Sequence, residues 1–301
     1  MLICGRKNNN MPEFSIIILT FNEEQHLPRL LNSIKYLSAP VFILDSGSTD
    51  NTLKIAEEFG AKVLYNKFEN HPKQWDFALK NFEIKTPWII GLDADQIVLP
   101  ELFQKLKNFK DEDIPKDVNG IYFNRKNYFK GRWLKHGGYF PKYLLKMFRT
   151  GIGYSDLNEN MDHRFIVPGK TIIWKDGYIK EENLKENEIA FWIAKHNRYS
   201  DLVAAEEIER RNKLRVQSIK PGLFGSPDER IAYFKKIWWS LPLFVRPFIY
   251  FFYRFIIQLG ILDGKEGWIF HYLQAFWFRL VVDIKIWEKL KQDKSFIQDK
   301  R

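Results

Sequence analysis

An α/β fold built on a mostly parallel sheet is predicted by three features of this 301-residue chain. Apolar, β-branched runs alternate with helix-period segments in the order β-α-β-α-β-α-β over the first hundred residues. The runs are near-continuous rather than alternating, as strands buried on both faces must be. Three of them stop abruptly in polar residues, and in a doubly wound sheet ligands bind outside the carboxyl ends of the strands.

Phe14–Thr20 is the first strand, ending at Phe21-Asn22-Glu23-Glu24. Leu27, Leu30, Leu31 and Ile34 share one face of a helix from about His26 to Tyr36. Val41–Leu44 is the second strand and runs into Asp45-Ser46-Gly47-Ser48-Thr49-Asp50. Asp50 is expected to cap a helix carrying Leu53, Ile55, Ala56 and Phe59 and closed by Gly60. Ala61–Tyr65 is the third strand, Gln74–Asn81 a short helix after which Pro87 punctuates, and Trp88–Leu92 the fourth strand.

The fourth strand delivers Asp93-Ala94-Asp95 to the edge where Thr20, Asn22, Glu23, Asp45 and Ser46 also emerge. Singly, each has an ordinary reading as a turn residue or helix cap. Together they predict a site. Two carboxylates at the end of an apolar strand are costly to desolvate unless a cation meets them, and Mg²⁺ or Mn²⁺ beside substrate phosphates is the usual partner. No G-x-G-x-x-G follows the first strand and no G-x-x-x-x-G-K-[ST] occurs, so neither a dinucleotide site nor a P-loop is offered.

These residues resemble a known family. Leu19-Thr20-Phe21-Asn22-Glu23-Glu24, Asp45-Ser46-Gly47-Ser48-Thr49-Asp50 and Asp93-Ala94-Asp95 are similar, in order and spacing, to the motifs of family 2 glycosyltransferases of the GT-A (Rossmann-like) fold. The likeness is to the bacterial subgroup that builds lipopolysaccharide cores and surface polysaccharides, and it covers roughly residues 14–200. It implies a nucleotide-sugar site of Thr20, Asn22, Glu23, Asp45, Ser46, Gln74 and Asp93, the first four of these around base and ribose. Asp93 and Asp95 would hold the ribose–diphosphate and its divalent metal, Mn²⁺ or Mg²⁺. One departure stands out: many relatives have Gln-Arg-Asn where this chain has Gln74-Trp75-Asp76, which removes a basic residue that the resemblance implies as a phosphate partner and for which the neighbouring Lys73 could substitute.

Beyond the carboxylate pair, Gly120–Tyr128 and Tyr143–Arg149 read as strands flanking a loop, Phe129–Pro141, whose glycines, rings and bases suit either a mobile acceptor-side loop or an anchored connection. An inverting transfer needs one carboxylate to take the acceptor hydroxyl's proton. Ser155–Arg164 is expected to carry it. By resemblance Glu159 is that base, since relatives place a Glu preceded by His or Asn ahead of a short strand, as Asn158-Glu159 precedes Phe165-Ile166-Val167. Asp156 and Asp162 are the alternatives, and all three fit an ordinary surface loop. Lys185–Arg211 then forms a helix with Ile189, Trp192, Ile193, Leu202, Ala205 and Ile208 on its apolar side.

Composition divides the chain. One Cys excludes a disulfide framework and six scattered His exclude a structural zinc site, which fits a reducing compartment. Met1–Met11 lacks the apolar core of a secretion signal and reads as a tail, or as an extension before a start at Met11. Residues 210–301 hold 18 Lys and Arg against 8 Asp and Glu and so carry the whole net charge of +10. Fifteen aromatics lie between Trp238 and Phe278. Arg246-Pro247 and Arg254 interrupt any spanning run, so helices lying in an anionic membrane interface, with Arg246, Arg254 and Arg279 on lipid phosphates, are preferred to spanning ones. A dimer surface or an aromatic core would give the same composition. Leu/Ile/Phe-dense helices do not suit nucleic acid.

The sequence thus predicts a tail (1–13), a GT-A domain (14–209) and a C-terminal membrane-associating region (210–301). The expected activity is inverting transfer from a nucleotide-sugar, expected to be UDP-linked, to a lipid-linked or polysaccharide acceptor at the cytoplasmic face of a bacterial inner membrane. A metal-dependent nucleotidyltransferase and an inactive, membrane-docked nucleotide-sugar binder are the competing expectations.

Overall fold

A computed structural model describes residues 12–158, 163–212, 214 and 218–298. Elements follow the predicted alternation: β1 (Phe14–Thr20), α1 (Leu27–Ile34), β2 (Val41–Asp45), α2 (Thr52–Phe59), β3 (Lys62–Tyr65), α3 (His71–Asn81) and β4 (Trp88–Asp93). Next come β5 (Gln96–Val98), α4 (Pro100–Lys107), β6 (Val118–Phe129), β7 (Arg132–Trp133), β8 (Tyr143–Arg149), β9 (Tyr154–Ser155), β10 (Phe165–Ile166) and β11 (Lys170–Glu181). The helices α5 (Ile189–Arg211), α6 (Pro227–Ser240), α7 (Arg246–Phe252), α8 (Gly264–His271) and α9 (Phe278–Gln298) complete the chain.

The main sheet runs β3-β2-β1-β4-β8-β6-β11-β5, with β7 paired to β6. The first four strands are mutually parallel, β8 is antiparallel to both β4 and β6, β11 is parallel to β6, and β5 is antiparallel to β11. This is the mostly parallel, helix-flanked GT-A architecture that the motifs imply. Alternate residues of β1 feed opposite layers: Ile16 and Ile18 pack with Leu27, Leu30 and Leu31, whereas Ile17 and Leu19 pack with Trp75 and Ala78 of α3. The two-sided burial explains why the strand sequences lack alternation. Gly60 closes α2 in the left-handed conformation, its N–H bonding back to the Ala56 and Glu57 carbonyls. In β4, a Cβ on Gly91 would stand 2.6 Å from the Phe165 ring, so glycine here lets β10 and α3 close on the sheet.

Four strands are not legible in the sequence: the two-residue β7 and β9, and β5 and β11. β5 is three residues long, and β11 is broken by a register shift between Trp174 and Tyr178. Its faces are half-buried, so the period-2 signal is weak.

The C-terminal helices pack back on the rest of the chain. Phe270, Leu273, Phe278, Val282 and Ile286 form a third apolar cluster with Trp192 and Ala204 of α5 and with Phe129 and Leu134. The buried face of α5 therefore differs from the expected one: Ile193 and Leu202 are exposed, whereas Glu206 and Glu207 are buried. The reason is Arg246. It is fully buried, with Nε donating to Asp283 Oδ1 (2.8 Å) and Nη1 donating to Glu207 Oε1 (2.7 Å). The expectation that Arg246 reaches lipid is overturned, since its charge is consumed inside the helical unit. Arg254 is also turned inward, donating to the Tyr250 hydroxyl (2.7 Å) with its guanidinium 4.2 Å from the Tyr139 ring centroid. Arg279 lies over the Trp238 and Tyr250 rings. The outward surface is apolar instead: Phe248, Phe252, Ile257, Ile261, Leu262 and Trp268 are each more than half exposed. Among the described residues no helix is long and apolar enough to cross a membrane.

Candidate active site

The predicted strand ends do converge. Thr20 Oγ1 donates to Asp45 Oδ1 (2.9 Å), joining β1 to β2. The other Asp45 oxygen accepts the Gly47 and Ser48 amides, both at 2.8 Å. Asn22, with φ +54°, donates its N–H to Ser48 Oγ and accepts Thr49 N–H on its side chain, each at 2.8 Å. The Gln74 amide donates to Ser46 Oγ (2.9 Å) and accepts from Asn66 Nδ2 (2.8 Å), tying α3 to the loop after β2. Asp45 and Gln74 are buried, and these hydrogen bonds fix a rigid rim along the first two strands. Asp50 is not the N-cap of α2, which is Asn51; it lies one residue earlier and accepts the Thr52 N–H (3.0 Å) from the first turn.

Glu23 lies at the same edge. His26 Nε2 accepts the Leu184 N–H (2.8 Å), so its Nδ1 carries the hydrogen that it donates to Glu23 Oε2. Lys185 bridges to the other Glu23 oxygen (3.3 Å) and to the Asn22 carbonyl. The short helical turn after β11 is thereby pinned over the end of β1.

Asp93 and Asp95 stand in opposite electrostatic states. Lys146 of β8, almost fully buried, donates to Asp93 Oδ2 (2.8 Å). Although burial works against the charge, the Lys146 ammonium holds the Asp93 carboxyl well below the usual carboxylate range. Gln96 donates one amide to both Asp93 Oδ2 (2.9 Å) and Glu181 Oε2 (2.8 Å), and accepts the Asp93 N–H. Among the described residues no cation stands at hydrogen-bond distance from Asp95, whose Oδ2 accepts Asn183 Nδ2 (3.2 Å). Burial, then the Glu181 and Asp93 charges, push its carboxyl up to about 8.

This arrangement fits a divalent cation. Among the described residues Asp93 Oδ1 is buried without a hydrogen-bond partner, and Asp95 sits in a field of negative charge that a cation would relieve. Among the described residues no group of three or more His, Cys, Asp or Glu is arranged to hold a metal by protein atoms alone.

Several residues here escaped the sequence reading: Lys146, Gln96, Glu181, Asn183, Lys195, His71 and His163. Lys146 had a signal, being a lone cation inside the apolar strand Tyr143-Leu144-Leu145-Lys146-Met147-Phe148. It pairs with Asp93; Lys73, the neighbour that could have replaced the missing basic residue as a phosphate partner, is on the surface, paired with Glu69 (2.5 Å). His163 packs over Trp75 with ring centroids 5.3 Å apart, and among the described residues its buried Nε2 has no partner. Burial lowers the pKa of both His71 and His163, which keeps them neutral beside Lys146.

Of the three candidate bases, Glu159 and Asp162 lie outside the described residues. Asp156 is buried and committed to its own turn, accepting the Asn158 N–H (3.1 Å) and the Ser218 hydroxyl (2.7 Å). The Phe129–Pro141 loop is anchored rather than free. Asp263 accepts the Lys135 N–H (3.0 Å) and His136 Nδ1–H (2.7 Å), and the Gly137 N–H donates to the Gln258 carbonyl (2.8 Å).

An uncharacterised glycosyltransferase of Rickettsia felis is 35% identical over 97 residues, 32% of this chain and 34% of that protein, so the alignment spans about a third of the relative's length. The lipopolysaccharide core biosynthesis glycosyltransferase LpsC of Rhizobium meliloti is 27% identical over 227 residues, 68% of this chain and 75% of LpsC. Among solved structures, S. aureus TarS 1–349 aligns over 93% of this chain and 92% of its own at 17% identity, with a TM-score of 0.45. Residues 15–169, which hold the strand-end rim and both carboxylates, match the profile described as Glycosyl transferase family 2, and the chain belongs to that family.

Proposed function

We propose that this protein is an inverting, metal-dependent glycosyltransferase. It moves a sugar from a nucleotide-sugar, expected to be UDP-linked, onto a hydroxyl of a lipid-linked or lipopolysaccharide acceptor. The observation that carries the reading is the pair at the end of β4: one carboxylate kept ionised by Lys146, the other short of a cation. Asp93 and Asp95 would hold the ion, which when bound supplies Lewis-acid stabilisation of the departing nucleoside diphosphate. Gln96 fixes the orientation of Asp93 and couples it to Glu181. The strand-end rim of Thr20, Asn22, Asp45 and Ser46 offers a preformed wall for base and ribose, with little side-chain entropy left to lose on binding. Glu159 takes the acceptor proton in this scheme.

The lipopolysaccharide assignment of the Rhizobium relative supports the acceptor class. The exposed apolar face between Phe248 and Trp268, beside a strongly basic C-terminal third, supports attachment to an anionic membrane surface at the cytoplasmic face of the inner membrane. A panel of nucleotide-sugars in a thermal-shift assay, with and without Mn²⁺, tests the reading. A metal-dependent rise in the unfolding temperature with one nucleotide series is expected, lost in Asp95→Ala. Full turnover by Asp95→Ala, or in excess EDTA, overturns it.

A further inference from the structure

The turn from Leu259 to Asp263 and the helix α8 after it present apolar side chains to the outside. Leu259, Ile261, Leu262 and Trp268 are each more than half exposed. Leu259 also has a left-handed backbone (φ +59°), a region that favours glycine. Neither its backbone preference nor burial within the chain accounts for a leucine there, whereas contact with an apolar phase outside the chain does.

This turn is tied to the catalytic half. Asp263 accepts the Lys135 and His136 N–H groups (3.0 and 3.1 Å) and the Gln258 carbonyl accepts the Gly137 N–H (2.8 Å), so the turn and the Phe129–Pro141 loop form one piece. The cations of that loop stand at the border of the apolar surface. The Arg132 guanidinium reaches Gly264, its carbon 2.9 Å from where a Cβ on that residue would lie, and the Lys135 ammonium is 4.8 Å from the Trp133 ring centroid. Lys265 follows in α8. All three cations are exposed, and among the described residues none of them pairs with a carboxylate. Of the carboxylates in the same stretch, Asp263 is buried beneath its backbone donors and Glu266 is half-buried, which leaves the exposed charge positive.

Exposed apolar side chains bordered by unpaired cations match a bilayer with anionic headgroups, where hydrocarbon and phosphate lie a few ångströms apart. The buried Arg246 and the inward-turned Arg254 do not supply that charge. Resting on the membrane reading above, we propose that the lipid-docking surface spans both halves of the protein: Leu259, Ile261, Leu262 and Trp268 enter the apolar layer while Arg132 and Lys135 of the catalytic half, with Lys265, meet the lipid phosphates. Phe129 and Tyr139, on either side of this stretch of loop, line the cavity beside Asp95, so docking holds that cavity next to the surface from which a lipid-linked acceptor arrives.

The test is co-sedimentation of the full chain with vesicles of phosphatidylcholine alone and of phosphatidylcholine mixed with phosphatidylglycerol, at ~0.1 M and ~1 M salt. Arg132→Gln and Lys135→Gln should each weaken binding to the anionic vesicles by about 3- to 5-fold at the lower salt and match wild type at the higher, as expected for single cations near a charged surface. Leu262→Ser should weaken binding to both vesicle types at both salts. Lys85→Gln and Lys107→Gln remove the same charge from exposed positions before β4 and at the end of α4, and should stay within about twofold of wild type. Far-UV circular dichroism of every variant should match wild type. If wild type sediments with neither vesicle, the membrane reading fails and this proposal with it. If wild type sediments and Arg132→Gln and Lys135→Gln behave as the two controls do, the membrane reading stands and this proposal alone is overturned. It is equally overturned if those two variants keep wild-type vesicle binding and lose retention on dextran sulfate, which would assign the cations to an anionic glycan.

Discussion

Replacing Asp95 by Asn removes an ionisation that the fold resists. Burial and the neighbouring Glu181 and Asp93 push the Asp95 carboxyl up to about 8 from its ordinary 3.8. The folded protein therefore keeps a proton that the unfolded chain has released. Stability associated with this group is fully present below the unfolded value and is lost as pH rises toward the folded one, by up to about 1.4 kcal/mol per pH unit. Asparagine has nearly the same shape and never ionises. In chelator-treated buffer, urea unfolding of wild type and Asp95→Asn should diverge as pH is raised from 5 to 7, the variant gaining about 1–3 kcal/mol relative to wild type. Millimolar Mn²⁺ should then raise the wild-type midpoint and leave that of Asp95→Asn nearly unmoved, because a ligand stabilises only the state that binds it. A variant that is more stable yet inactive is the usual trade at a catalytic site. A pH-independent difference between the two proteins, or equal stabilisation of both by Mn²⁺, refutes the electrostatic account.

Arg246→Gln leaves Asp283 and Glu207 buried, Asp283 with only the Phe244 N–H and Glu207 with Arg211, and should destabilise the helical unit by about 3–5 kcal/mol in denaturant unfolding. An unfolding midpoint equal to wild type would contradict the burial of that triad. Glu159→Gln should lower turnover by ~10²–10⁴ with donor affinity nearly unchanged in calorimetry, whereas the same phenotype from Asp162→Asn alone would move the base assignment. In liposome sedimentation the full chain should pellet, and Phe252→Ser with Trp268→Ser should weaken this at least tenfold at both low and ~1 M salt, since burial of exposed apolar surface and not arginine pairing carries the larger part. Unaltered sedimentation of that double variant would assign the apolar face to something other than lipid.

The fold was legible where local and global demands coincide. Buried parallel strands must be apolar on both faces, so Phe14–Thr20, Val41–Asp45 and Trp88–Asp93 announce themselves, and their polar ends mark the ligand edge without knowledge of any contact. The far edge of the sheet was harder to read. β11 has a broken register and half-buried faces, and with it Glu181 and Asn183 stayed invisible. The C-terminal arginines misled for a related reason. A charge interleaved with aromatics has one sequence pattern whether it meets a phosphate outside or a carboxylate inside, and only the approach of α5 brings Glu207 to Arg246.

The sequence by itself determined the α/β alternation, the convergence of Thr20, Asn22, Glu23, Asp45 and Ser46 with Asp93 and Asp95, and the expectation of a carboxylate-bound cation. All of these follow from short-range periodicity and from the rule that strands of a parallel sheet end on one edge. Only the tertiary structure decided how the two carboxylates differ. Lys146 lies 53 positions from Asp93 in the chain and 2.8 Å from it in space, and Glu181 reaches Gln96 across 85 positions. A carboxylate's ionisation depends on burial and on charges a few ångströms away, and residues that far apart in sequence meet only once β8 and β11 have taken their places in the sheet.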